Sequence, residues 1–216
     1  MNNLPNQFFY SKKEDRLNVL SHGIGFILSI IGLIFLINKG LQNFNFTYFM
    51  SLLIYGLSLS TMYIASTLYH NSKTANSRYN LRMFDMISIY ILIAGSYTPF
   101  TLILLKDNQG WLLFTIIWLL AFFGIAWKVF TVGKYNLVTT SLYIFMGGLW
   151  LFFYETFVNQ IPSDAIWWIT AGCLTYLTGV IFYLLDDKLK YNHFIWHLFV
   201  LAGSVLHYFM VLIYII

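Results

Sequence analysis

The sequence predicts an all-α membrane protein: a seven-transmembrane helix bundle with its N-terminus in the cytoplasm and its C-terminus outside. Three observations predict it. The 216-residue chain is 59% hydrophobic and 9% charged, against about 25% charged residues in soluble domains, and its mean hydropathy is +0.71. Seven apolar runs are each long enough for a bilayer core, which needs roughly 17–25 residues of helix. Lys and Arg are distributed unevenly between the connecting segments. One side holds Lys12, Lys13, Arg16, Lys73, Arg78, Arg82, Lys128, Lys134, Lys188 and Lys190, the other only Lys39 and Lys106. Cations accumulate on the cytoplasmic side of membrane proteins, so the richer side is read as inside.

The spans run over about 17–37, 46–69, 84–105, 111–130, 137–154, 165–185 and 194–216. Connections are short, so residues 1–216 are read as one membrane domain. The first 16 residues are polar, and a cleaved signal peptide is not expected. The single cysteine, Cys173, allows neither an internal disulfide nor a cysteine-based zinc motif. The sequence pI near 9.0 is assigned to membrane orientation, and no nucleic-acid partner is expected.

Span one begins with Glu14, Asn18 and His22, which step by four and share one helical face. Span two ends with Ser66 and His70, again four apart. Asp85 opens span three. Trp111, Trp150, Trp167 and Trp168, near the ends of spans four to six, fit interfacial anchoring. Gly23, Gly25, Gly147, Gly148 and Gly172 are read as sites of close helix packing. Glu14 and Asp15 are read as balancing Lys12, Lys13 and Arg16, and Asp186 and Asp187 as a solvated loop. Span seven opens with His193 and His197, whose spacing puts two imidazoles on one face roughly 6 Å apart along the axis.

Four of the five histidines and Asp85 thus fall at one membrane level, on the inner side. Ionisable residues inside a membrane are expensive and mark functional sites. His70, His193 and His197 supply three imidazoles from two spans with an open fourth position, the pattern of a catalytic Zn²⁺ site. Asp85 and Ser66 stand where a general base and a water-orienting hydroxyl would be needed. His207 lies about 15 Å deeper and is read as an interhelical hydrogen-bonding residue. Other chemistries fit less well. A di-iron site needs more ligands, a bis-His haem needs facing helices, and a retinal Schiff base needs a lysine beyond Lys190. Span seven also has no NPxxY-type receptor motif.

These residues resemble the bacterial hemolysin III family, within the progestin and adipoQ receptor superfamily. The resemblance is carried by Glu14-Asp15-x-x-Asn18-x-x-Ser21-His22-Gly23-Ile24-Gly25 and by Ser66-Thr67-Leu68-Tyr69-His70. It continues through Leu81-Arg82-x-x-Asp85 with Ile89 to Phe100, and through His193-Phe194-Ile195-Trp196-His197-Leu198-Phe199 with Gly203-Ser204 and His207. It implies zinc held by His70, His193 and His197, with Ser66 and Asp85 beside a bound water, in a bacterial cytoplasmic membrane. Similarity to alkaline ceramidases implies hydrolysis of a lipid amide or ester, with membrane lipids as substrate or ligand. Two positions depart from many family members: Met86 and Asn192 stand where histidine is frequent. With no large extracellular domain, a protein-hormone partner is not expected. The competing functions are a receptor or sensor with structural zinc and a cytolytic pore. Polar residues confined to one end of the spans rank the pore lowest.

Overall fold

The computed structural model describes residues 10–105, 108–132, 134–186 and 188–216. Lys106 and Asp187 lie outside them. Among the described residues all regular secondary structure is helical. Helix α1 spans Lys12–Gln42, α2 Phe46–Asn71, α3 Ala75–Pro99, α4 Asn108–Phe130, α5 Asn136–Gly147, α6 Tyr154–Gln160, α7 Ser163–Leu184 and α8 Asn192–Tyr214. Seven of the resulting spans are long and apolar enough to cross a membrane, α5 and α6 together forming one of them. The protein is a multi-pass membrane protein. Within hydrocarbon each backbone polar group needs an internal partner, which helices supply.

Local chemistry starts the first three helices. Ser11 accepts a hydrogen bond from the Glu14 amide at 3.2 Å, Asn45 from Tyr48 at 3.1 Å, and Thr74 from Ser77 at 3.3 Å. Each side chain satisfies one orphan donor of a first helical turn. Tyr191, with φ 66, turns the chain into α8.

Helix contacts run α1–α2–α3–α4–α5–α7–α8 and close from α8 back to α1. The closure sets the first span against the last. The N-terminal ends of α1, α3 and α8 and the C-terminal end of α2 therefore meet at one end of the bundle. Beyond that end, Tyr63, Leu59, Tyr55, Leu52 and Leu36 are all buried in the core.

Several sequence expectations change here. Span three starts earlier, at Ala75, and finishes beyond Pro99 in a π-helical turn, Phe100–Leu104. Proline has no amide proton, so the regular ladder cannot continue through it. Span five is interrupted after Gly147 by a 3-10 turn over Leu149–Phe153. Tyr97 holds the break: its hydroxyl donates to the Gly147 carbonyl at 3.0 Å and accepts from the Trp150 amide at 3.1 Å. Trp150 is therefore not an interfacial anchor; it is buried against Phe157. Trp111 and Trp167 do face outward.

Close packing holds at Gly25, where a Cβ would meet the Tyr63 ring at 2.5 Å, and at Gly172, where it would meet His207 at 2.2 Å. It does not hold at Gly147, which has nothing within 4 Å, or at Gly23, whose nearest neighbour is 3.9 Å away. Nor does it hold at Gly148, where the nearest atom is 3.4 Å away. Gly147 and Gly148 mark the helix break instead.

Candidate metal centre

The stripe Glu14, Asn18, Ser21, His22 and Gly25 is buried on the inner face of α1. Ser66 and His70 are buried on α2, and His193 and His197 on α8. Four imidazoles thereby come together. The rings of His70, His193 and His197 lie 4.8 to 5.0 Å apart, centre to centre. Each can present one nitrogen such that all three nitrogens lie within 4.8 Å of one another. The His22 ring stacks on His197 at 3.6 Å and 11°.

Each of the three clustered histidines is held through its Nδ1. His70 Nδ1 lies 3.1 Å from Asp15 Oδ1, which also accepts from the Arg78 guanidinium at 2.7 Å. His193 Nδ1 lies 3.1 Å from Asp186 Oδ2 and 2.9 Å from the Tyr10 hydroxyl oxygen. His197 Nδ1 lies 3.3 Å from the Ser21 hydroxyl. That hydroxyl donates its own proton to the Asn18 carbonyl at 3.0 Å, leaving its lone pairs free to accept from the imidazole. A carboxylate only accepts hydrogen bonds. Asp15 and Asp186 thus place the proton of His70 and His193 on Nδ1 and the lone pair on Nε2. The Nε2 atoms of His70 and His193 are buried and have no hydrogen-bond partner.

Two buried imidazole lone pairs without donors are costly. Three imidazoles with backing acceptors are a donor set that suits a borderline transition-metal ion. Three histidines this close together can bind a metal ion.

Outside the spans, burial pushes the Tyr10 hydroxyl well above its ordinary pKa, so it remains a donor. It donates to Asp186 Oδ2 at 2.6 Å. Burial, the largest single influence, would raise Asp186, but the hydrogen bonds from His193 and Tyr10 and the neighbouring imidazoles together outweigh it and hold the carboxyl below its ordinary value. Asp186 stays ionised as an acceptor.

Asp85 is half-buried on α3, within electrostatic reach of His193 and next to Ser66. It lies outside the three-histidine cluster. The Ser66 hydroxyl is buried beside Asp85. Glu14, Asn18 and His22 all face the bundle interior. The Asn18 side-chain amide lies 3.3 Å from His70 Nδ1, and both His22 ring nitrogens are buried without a partner among the described residues. His207 stands apart, its Nε2 donating to the Ile169 carbonyl on α7 at 3.3 Å. Asn192 donates to the Leu185 carbonyl at 2.8 Å, and Met86 is buried.

Two sequence readings are overturned. Asp15 does more than offset neighbouring lysines: it joins His70 to Arg78. Asp186 is not in a solvated loop; its side chain is 16% exposed and bonded to His193. Tyr10 and Ser21 were not singled out for any role. Ser21 directly precedes His22 in the first sequence motif, which is its available signal. Tyr10 gave none.

A family model described as "Haemolysin-III related" matches residues 10–208. Hemolysin-3 of Bacillus cereus is 39% identical over 204 residues, covering 94% of this chain and 93% of that protein. The Hemolysin-3 homolog of Bacillus subtilis (strain 168) is 37% identical over 205 residues, covering 95% and 96%. The human protein called monocyte to macrophage differentiation factor is 30% identical over 169 residues, covering 73% and 67%.

Proposed function

The chain belongs to the hemolysin III family, and on that premise we propose that it is a zinc-dependent hydrolase of membrane lipid amides or esters. One observation carries the reading: three imidazoles converge with their Nδ1 atoms held from behind, and two of the facing Nε2 atoms are orphaned. His70, His193 and His197 would hold the ion. When bound, it supplies Lewis acidity toward a carbonyl oxygen.

The remaining chemistry falls to the chain. The Asp85 carboxylate takes a proton from the attacking water and returns it to the departing nitrogen or oxygen. The buried Ser66 hydroxyl, beside Asp85, offers a hydrogen bond to that water or to the carbonyl oxygen. Tyr63 and Leu59, further along α2 from the site, are buried in the apolar core. We place the N-terminus in the cytoplasm on the ten-to-two distribution of cations. The site then lies in the inner half of the membrane, and substrate enters laterally from the inner leaflet.

A second reading is supported by the same geometry. The ligands tie α2 to α8, and α1 backs both, so an ion there would also fasten the first spans to the last. In a receptor or sensor this fastening would be its whole role. A pore is disfavoured by the filled core beyond the histidines.

The test is elemental analysis of detergent-purified, chelator-free protein, followed by incubation with ceramides, phospholipids and acyl amides. One zinc per chain is expected, lost in His70→Ala and His193→Ala, together with cleavage of at least one lipid class. Protein without stoichiometric metal would overturn the metal reading. Zinc-loaded protein that leaves every lipid intact would overturn the hydrolase and favour structural zinc.

A further inference from the structure

We propose that Tyr10 is a positioning residue for the metal centre and covers its aqueous side, so that release of the ion is controlled by this one side chain. The proposal rests on the metal reading above. It begins from an oddity of placement. Tyr10 precedes α1, yet its ring lies 4.6 Å from that of His193 and 5.5 Å from that of His70, centre to centre. It therefore spans two clustered histidines that come from different helices. Its hydroxyl donates to Asp186 Oδ2 at 2.6 Å and stands 2.9 Å from His193 Nδ1.

These contacts do two separable things. The ring fills space over the end of the cluster where α2 stops and α8 starts. The hydroxyl fixes the Asp186 carboxylate that in turn fixes the His193 ring. Outer partners of this kind set ligand orientation, and their loss typically weakens metal binding 10–100-fold. Nearby contacts hold the same corner. Lys13 lies over the Tyr191 ring at 5.8 Å, so the start of α1 is fastened to the turn that opens α8. Asp15, one turn further on, reaches His70 and Arg78. The start of the first span thus touches both ligand-bearing helices. Tyr10 is its outermost described contact.

The ring and the hydroxyl can be tested apart. Zinc-loaded protein in detergent is mixed with excess chromophoric chelator, and the rate of zinc extraction is read for wild type, Tyr10→Phe and Tyr10→Ala. Tyr10→Ala should release zinc about tenfold faster or more, with Tyr10→Phe lying between it and wild type. The metal-free Tyr10→Phe protein should melt close to wild type, and metal-free Tyr10→Ala should lose less stability than its faster zinc release corresponds to. Equal extraction rates in wild type and Tyr10→Ala would overturn the proposal, as would faster release matched by an equal loss of metal-free stability. Wild-type protein that holds no zinc from the outset would sink the metal reading itself, a result distinguishable from either.

Discussion

Asp15→Asn and Asp186→Asn should separate support of the metal from support of the fold. Both carboxylates back a clustered histidine at 3.1 Å, so either change replaces a charge-assisted hydrogen bond with a neutral one. Metal affinity should fall about 10–100-fold in each, or about 1.4–2.7 kcal/mol. At fixed excess zinc, the stabilisation due to the ion falls by the same amount. The two differ without metal. Asp15 also pairs with Arg78, whose side chain is 1% exposed. That guanidinium retains the Ser72 carbonyl at 3.3 Å and the face of Tyr69 at 4.9 Å, and Asn still offers one acceptor oxygen. The loss of metal-free stability should therefore be about 1–3 kcal/mol, below the full penalty of a stranded buried charge. Among the described residues no Lys or Arg pairs with Asp186, so Asp186→Asn should change metal-free stability by less than about 1 kcal/mol. Chelator competition gives the affinities, and thermal melts with and without chelator give the stabilities. Unchanged affinity in both variants would refute the assignment of these carboxylates. Equal metal-free losses would refute the distinction drawn from Arg78.

Asp85→Asn should remain folded and zinc-loaded, because Asp85 is outside the histidine cluster, while hydrolysis falls about 10²–10⁴-fold; lost zinc would reassign Asp85 to metal retention. Gly25→Ala should destabilise the bundle by about 1–3 kcal/mol, since its Cβ would press on the Tyr63 ring at 2.5 Å. Gly147→Ala should be tolerated, with nothing within 4 Å, and comparative melts decide between them. In a Cys173→Ser background, Asn43→Cys should react with an impermeant thiol reagent added to intact cells, and Lys188→Cys should react only after lysis. The reverse pattern would invert the orientation.

The spans were legible in the sequence because a bilayer leaves the backbone little choice. Once a run of about 20 apolar residues is seen, a helix follows from hydrogen-bond satisfaction alone. Local spacing also put Ser66 with His70, and His193 with His197, on shared faces. The break after Gly147 and the burial of Trp150 were not legible. Both depend on Tyr97, which lies 50 and 53 residues away in sequence. Hydropathy registers that a span exists but does not register which turn of it a distant hydroxyl captures.

By itself the sequence determined the helical class, the spans and the gathering of histidines at one membrane level, all consequences of axial position along a helix. Tertiary structure alone decided which atom each histidine presents. That choice rests on Asp15 reaching His70 across 55 residues and Ser21 reaching His197 across 176. It also rests on Asp186 facing inward instead of toward water. These outcomes depend on how each helix is rotated about its axis and which neighbours close the ring. Rotation is set by packing between spans, so no local pattern of residues encodes it.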